Sequence, residues 1–110
     1  MLSTTLMAAT AILLCDPSVR HVCTQDQCRT ETIGFHVLLD FDRGTLSHCR
    51  ETVHGCSIAK ITVDRTAASG AIEVDGKDLK FRLWPSMEYM DVQLAEKTTD
   101  ISFGKCRARP

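Results

Sequence analysis

From residue 19 onward, apolar and polar positions alternate with a period of two in short runs separated by turn residues. Phe35, Val37, Leu39 and Phe41 fall on one face of a run that stops at Asp42-Arg43-Gly44. Ile61 and Val63 repeat the pattern, as do Ile72 and Val74, Leu79, Phe81 and Leu83, then Met90, Val92 and Leu94. Ile101 and Phe103 form the last such pair before Gly104. Side chains two apart share a face of an extended chain, so this alternation predicts half-buried strands. No segment beyond the N-terminal stretch keeps a helical period over ten residues. The predicted strands lie near 19–23, 29–41, 45–49, 58–64, 70–75, 78–84, 88–95 and 99–105. Gly34 is expected to bend the long second strand, and Asp75-Gly76 to form a type I′ hairpin turn.

Short connections make successive strands antiparallel neighbours. Their apolar faces must then meet, and a sheet curled on itself achieves this without open edges. The expected fold is therefore all-β: an antiparallel meander curling into a small barrel, with a two-sheet sandwich as the alternative. One domain over residues 19–110 accommodates every predicted strand.

Residues 1–18 read differently. Met1 to Cys15 carries no charged side chain and is rich in Leu, Met, Ile and Ala. It is too short to span a bilayer as a helix, and suits the apolar part of an export signal. No Lys or Arg precedes it, and no small-x-small pair closes it. The competing expectations are membrane anchoring through lipidated Cys15 and a buried first element of the domain.

The six cysteines, Cys15, Cys23, Cys28, Cys49, Cys56 and Cys106, favour an oxidising compartment for a chain of 110 residues. Cys23 and Cys28 flank a polar four-residue turn, and Cys49 and Cys56 flank a longer connection. Local bridges are expected at both, which leaves Cys106 to pair with Cys15 or to stay free. A long closure of Cys106 onto Cys49 or Cys56 is the competing arrangement. Cys23, Cys28, His48, Cys49, His54 and Cys56 are also zinc-competent, but their spacing misses the paired knuckles of structural zinc sites. No metal or cofactor is expected.

Thirteen basic against fourteen acidic side chains leave a net charge of −1, which argues against a nucleic-acid partner. The chain has no Gly-x-Ser-x-Gly elbow, no His-Glu-x-x-His and no glycine-rich phosphate loop, so no enzymatic activity is expected. Trp84, Met87 and Tyr89 surround Pro85-Ser86 and are read as an outward patch at one end of the sheet. These residue types bury much area on binding. The competing expectation is that the aromatics fold back as a lid. A carrier would instead need an interior cavity lined by Phe35, Val37, Phe81 and Val92.

The layout resembles small exported bacterial β-meander proteins of unassigned function. His21-Val22-Cys23, Asp40-Phe41-Asp42-Arg43-Gly44, Cys49 and Phe103-Gly104-Lys105-Cys106 carry the likeness. It implies a periplasmic or secreted location and no particular activity. Periplasmic and lipid-anchored lysozyme inhibitors are similar in size and architecture, and Thr66-Ala67-Ala68-Ser69-Gly70 echoes their loop of small residues. The sequence thus leads to an exported, non-enzymatic envelope protein that binds a protein partner through Trp84, Met87 and Tyr89.

Overall fold

A computed structural model describes residues 12–50 and 55–109, and it is built from strands with no helix. The strands are β1 (Ile12–Cys23), β2 (Cys28–Thr30), β3 (Phe35–Asp40), β4 (Thr45–Arg50), β5 (Cys56–Asp64), β6 (Ile72–Gly76), β7 (Leu79–Leu83), β8 (Glu88–Leu94) and β9 (Thr99–Ala108). From β3 to β9 each strand pairs antiparallel with the next. The strand β1 pairs with β3 on one side and with β9 on the other, closing an eight-stranded barrel. The short strand β2 is an extra element, paired with the end of β1 outside the ring. The meander barrel is therefore the fold, and the sandwich is not.

Alternation assigns the lumen. Leu13, Leu39, Leu46, Val74, Phe81 and Leu83 are buried on inward positions of β1, β3, β4, β6 and β7. They form a continuous apolar core, with Phe81 and Tyr89 stacked at 5.1 Å between ring centres. Residues 12–18, read as the end of a signal-like segment, are instead the first half of β1. Leu13 and Cys15 are buried while Ile12 and Leu14 on the other face are half-buried but also apolar, so the run lacks polar alternation and looks signal-like in sequence. Residues 1–11 lie outside the described residues, as does His54.

Three further expectations need correction. The long second strand is two strands, β2 and β3, separated at residues 31–34 rather than merely bent at Gly34. The β6–β7 turn is Lys77-Asp78, with Gly76 opposite Leu79 as the last pair. Only Asp78 there has positive φ (56°), so the turn is not the type I′ turn expected at Asp75-Gly76. The largest error concerns phase. In β8 the inward residues are Tyr89, Asp91 and Gln93, and in β9 they are Asp100, Ser102, Gly104 and Cys106. Met90, Val92, Ile101 and Phe103 face outward, so Val92 lines no lumen.

All six cysteines are bonded, as Cys15–Cys106, Cys23–Cys28 and Cys49–Cys56. Each pair is directly opposite across neighbouring strands. Both local bridges appear where the turns place them, and Cys15–Cys106 staples the β1–β9 seam from inside. No thiolate is left as a zinc ligand. Among the described residues, no helix is long and apolar enough to cross a membrane.

Candidate functional site

The Trp84 region is shaped by one tight turn. Trp84, Pro85, Ser86 and Met87 connect β7 to β8, with Met87 N–H donating to Trp84 O at 2.8 Å. Proline supplies the fixed φ wanted early in such a turn, and Met87 takes φ 73°, a left-handed value usually left to glycine. The Ser86 hydroxyl donates to Glu88 Oε1 at 3.0 Å and accepts from Glu88 N–H at 3.3 Å. Met87 O accepts from Cys106 N–H at 2.8 Å, which ties the turn to β9.

A second irregularity lies alongside. The β1–β9 register shifts between Pro17 and Val19, and Ser18 Oγ donates to Phe103 O at 3.2 Å. A Cβ on Gly104 would come within 2.1 Å of Asp16 O, so only glycine allows the strands to approach this closely. Between turn and bulge runs a groove of about 530 Å³ lined by Trp84, Pro85, Ser86, Phe103 and Lys105, among others. Phe103 is 37% exposed on its wall, and Glu88 stands opposite Lys105 across the strands. Arg82 stacks 6.0 Å from the Trp84 ring and is held by Glu73, an outer-face ion pair that raises the guanidinium pKa.

Of the three residues read as an outward patch, Trp84 and Tyr89 both border the groove, but they differ in exposure. Trp84 is half-buried and borders the groove, and Met87 packs partly against the core. Tyr89 is 1% exposed and belongs to the lumen. Burial, followed by the nearby carboxylates of Asp91 and Asp16, pushes its phenol above the ordinary range. Tyr89 therefore fits the lid alternative. Phe103, which the sequence placed inside, is the exposed aromatic of the groove wall.

The other end of the lumen holds what sequence reasoning missed. His48 points inward from β4, and its Nε2 lies 2.7 Å from Asp91 Oδ2 on β8, across the barrel. With the carboxylate ionised it can only accept, and the ring nitrogen is then the donor. The Asp91 side chain is wholly buried and that of His48 is 15% exposed. Nearby, Arg20 donates from Nε and Nη2 to Asp100 at 2.7–3.2 Å and from Nη1 to Thr32 O at 3.0 Å. Its guanidinium also lies 5.9 Å from the Phe35 ring centre, and the Asp100 hydrogen bonds raise its pKa. Arg20 thus plugs the gap where β3 parts from β1. Tyr89 Oη, Asp91 Oδ1 and Ser102 Oγ are buried without a hydrogen-bond partner among the described residues. Ser57 stands opposite His48 on β5, but no hydrogen bond joins their side chains among the described residues, so no Ser-His-Asp relay is assembled.

Compared with protein-family models, curated proteins and solved structures, the chain matches none, so its functional reading rests on these two regions alone.

Proposed function

We propose that the protein is an exported, non-enzymatic binding module that engages a partner protein of the cell envelope through the groove beside Trp84. The observation that carries the reading is the groove itself, where a half-buried tryptophan and an exposed phenylalanine flank a 530 Å³ depression on the barrel wall. Aromatic side chains in such a setting give up much solvated area while freezing few torsions. Three disulfides are compatible with an oxidising, extracellular compartment. A carrier is less favoured, because Phe81, Tyr89, Leu39 and Leu46 fill the lumen where an apolar ligand would sit.

A second reading, a lysozyme-inhibitor-like binder, draws on one further contact. A Cβ on Gly70 would lie 3.2 Å from Pro85 Cγ, so the Thr66–Gly70 loop abuts the Trp84 turn. Affinity capture from envelope extract, comparing the wild type with Trp84→Ala, tests the main reading. Loss of a discrete captured protein with Trp84→Ala supports it, and equal capture by both contradicts it. A lysozyme assay with the same two proteins tests the second: inhibition lost on substitution favours it, and no inhibition by either removes it.

A further inference from the structure

The polar end of the barrel opens onto a cup of about 320 Å³ whose walls include His48, Ser57, Leu79, Gln93, Thr98 and Asp100. That volume lies at the lower end of ordinary small-molecule sites. The cup is separate from the Trp84 groove and shares no lining residue with it.

His48 is held in a fixed setting. The bond from His48 on β4 to Asp91 on β8 crosses the lumen between strands that are not neighbours. Removing a carboxylate from water costs several kcal/mol unless partners replace the lost hydration. Here the buried carboxylate fixes the imidazole orientation and consumes Nε2, leaving Nδ1 as the ring's remaining hydrogen-bonding atom. Deeper in the wall, Asp91 Oδ1 and Ser102 Oγ stay unpartnered among the described residues. The fold's own bonds therefore do not use up the polarity of this end.

The formal charges at the cup sum to zero: Asp100 is bound by Arg20, and the β6–β7 turn adds one cation and one anion, Lys77 and Asp78. The other polar side chains, Ser57, Gln93 and Thr98, are neutral and can both donate and accept. None of them enters a side-chain hydrogen bond with another described residue. Leu79 adds a small apolar surface. The rim therefore carries no net formal charge to favour an ion of either sign, whereas a neutral ring bearing several hydroxyls would find donors, acceptors and one apolar face.

We propose that this cup binds a small, uncharged, hydroxyl-rich molecule of monosaccharide size, held by Ser57, Gln93 and Nδ1 of His48. The probes are D-glucose and its charged counterparts D-glucosamine and D-glucuronate, titrated into the disulfide-intact chain under ¹H–¹⁵N NMR. Glucose is expected to give saturable shifts of the Gln93 side-chain amide and the Ser57 and Lys77 backbone amides, with a Kd of about 1–10 mM. Both charged analogues should bind more weakly. Gln93→Leu should weaken glucose binding about fivefold, the worth of one hydrogen bond. Trp84→Ala should leave it unchanged, which separates failure here from failure of the groove reading. Unsaturated shifts with glucose, tighter binding of either charged analogue, or wild-type affinity in a folded Gln93→Leu variant would each overturn the proposal.

Discussion

The two ends of the lumen are built by opposite rules. Toward the β3–β4 and β5–β6 loops, Leu13, Leu39, Leu46, Val74 and Leu83 pack together, and Phe81, opposite Asp91, marks the boundary with the polar end. Toward the β4–β5 and β8–β9 loops, four strands of the same barrel, β1, β4, β8 and β9, turn Arg20, His48, Asp91, Gln93, Asp100 and Ser102 inward. The first end supplies most of the apolar burial, at roughly 25 cal/mol per Å². The second holds two hydrogen-bonded pairs, His48–Asp91 and Arg20–Asp100, in a setting where burial of charge opposes folding. Fold stability and polar chemistry are thus segregated along one barrel axis, and the Trp84 groove lies outside both.

The disulfides follow the same division and give the largest expected contrast. Cys15–Cys106 spans 91 residues inside the apolar half, while Cys23–Cys28 and Cys49–Cys56 span 5 and 7 at the polar end. Constraint of the unfolded chain grows with loop length. Replacing Cys15 and Cys106 by alanine should lower stability by about 4–5 kcal/mol, against about 2 kcal/mol for Cys23 and Cys28. Urea unfolding of the two double variants measures both. Equal losses would mean that loop length is not what separates the ends.

Next in size is the cross-lumen pair. Asp91→Leu alone strands His48 and should cost about 3–5 kcal/mol. The double change His48→Leu with Asp91→Leu should recover most of that loss, because apolar replacements of a buried pair are often neutral or stabilising. A double variant as unstable as the single would show that the pair stabilises the barrel outright. Unfolding curves on a shared m-value decide between the outcomes.

The smallest effect is the alkaline slope from Tyr89, the only tyrosine in the chain. Its phenol titrates above the ordinary range when folded and near pH 10 when unfolded. The associated stability is therefore complete below pH 10 and falls as pH rises above it, by up to about 1.4 kcal/mol per pH unit. Tyr89→Phe should flatten that slope, and phenolate absorbance of the folded wild type should appear only well above pH 10. An unchanged slope in the variant would assign it to other groups.

The legibility of these regions in the sequence differs for the same physical reason. In β3 and β7 the inward phase is apolar and the outward phase carries residues such as His36, Lys80 and Arg82, so alternation gives both strand and face. In β8 and β9 the phases are reversed. Asp91, Gln93 and Ser102 point inward, and Met90, Val92 and Phe103 point outward. Apolar side chains tolerate exposure, whereas a buried carboxylate is tolerated only through a partner such as His48, 43 residues away in sequence. A period-two pattern cannot report that partner. The local disulfides were readable because turn and bridge lie within one hairpin. The groove was half readable: Pro85 marked its turn and Trp84 its rim, but Phe103 enters only through the β8–β9 register.

Partner binding is proposed at the outer groove and not elsewhere on the barrel wall. Placing a photo-crosslinking amino acid at Ser86 in the groove, and separately at Thr62 on the outer face of β5, tests this directly in cells of the native host. A discrete crosslinked partner is predicted from Ser86 and none from Thr62. Adducts from Thr62 alone, or from neither position, would contradict it.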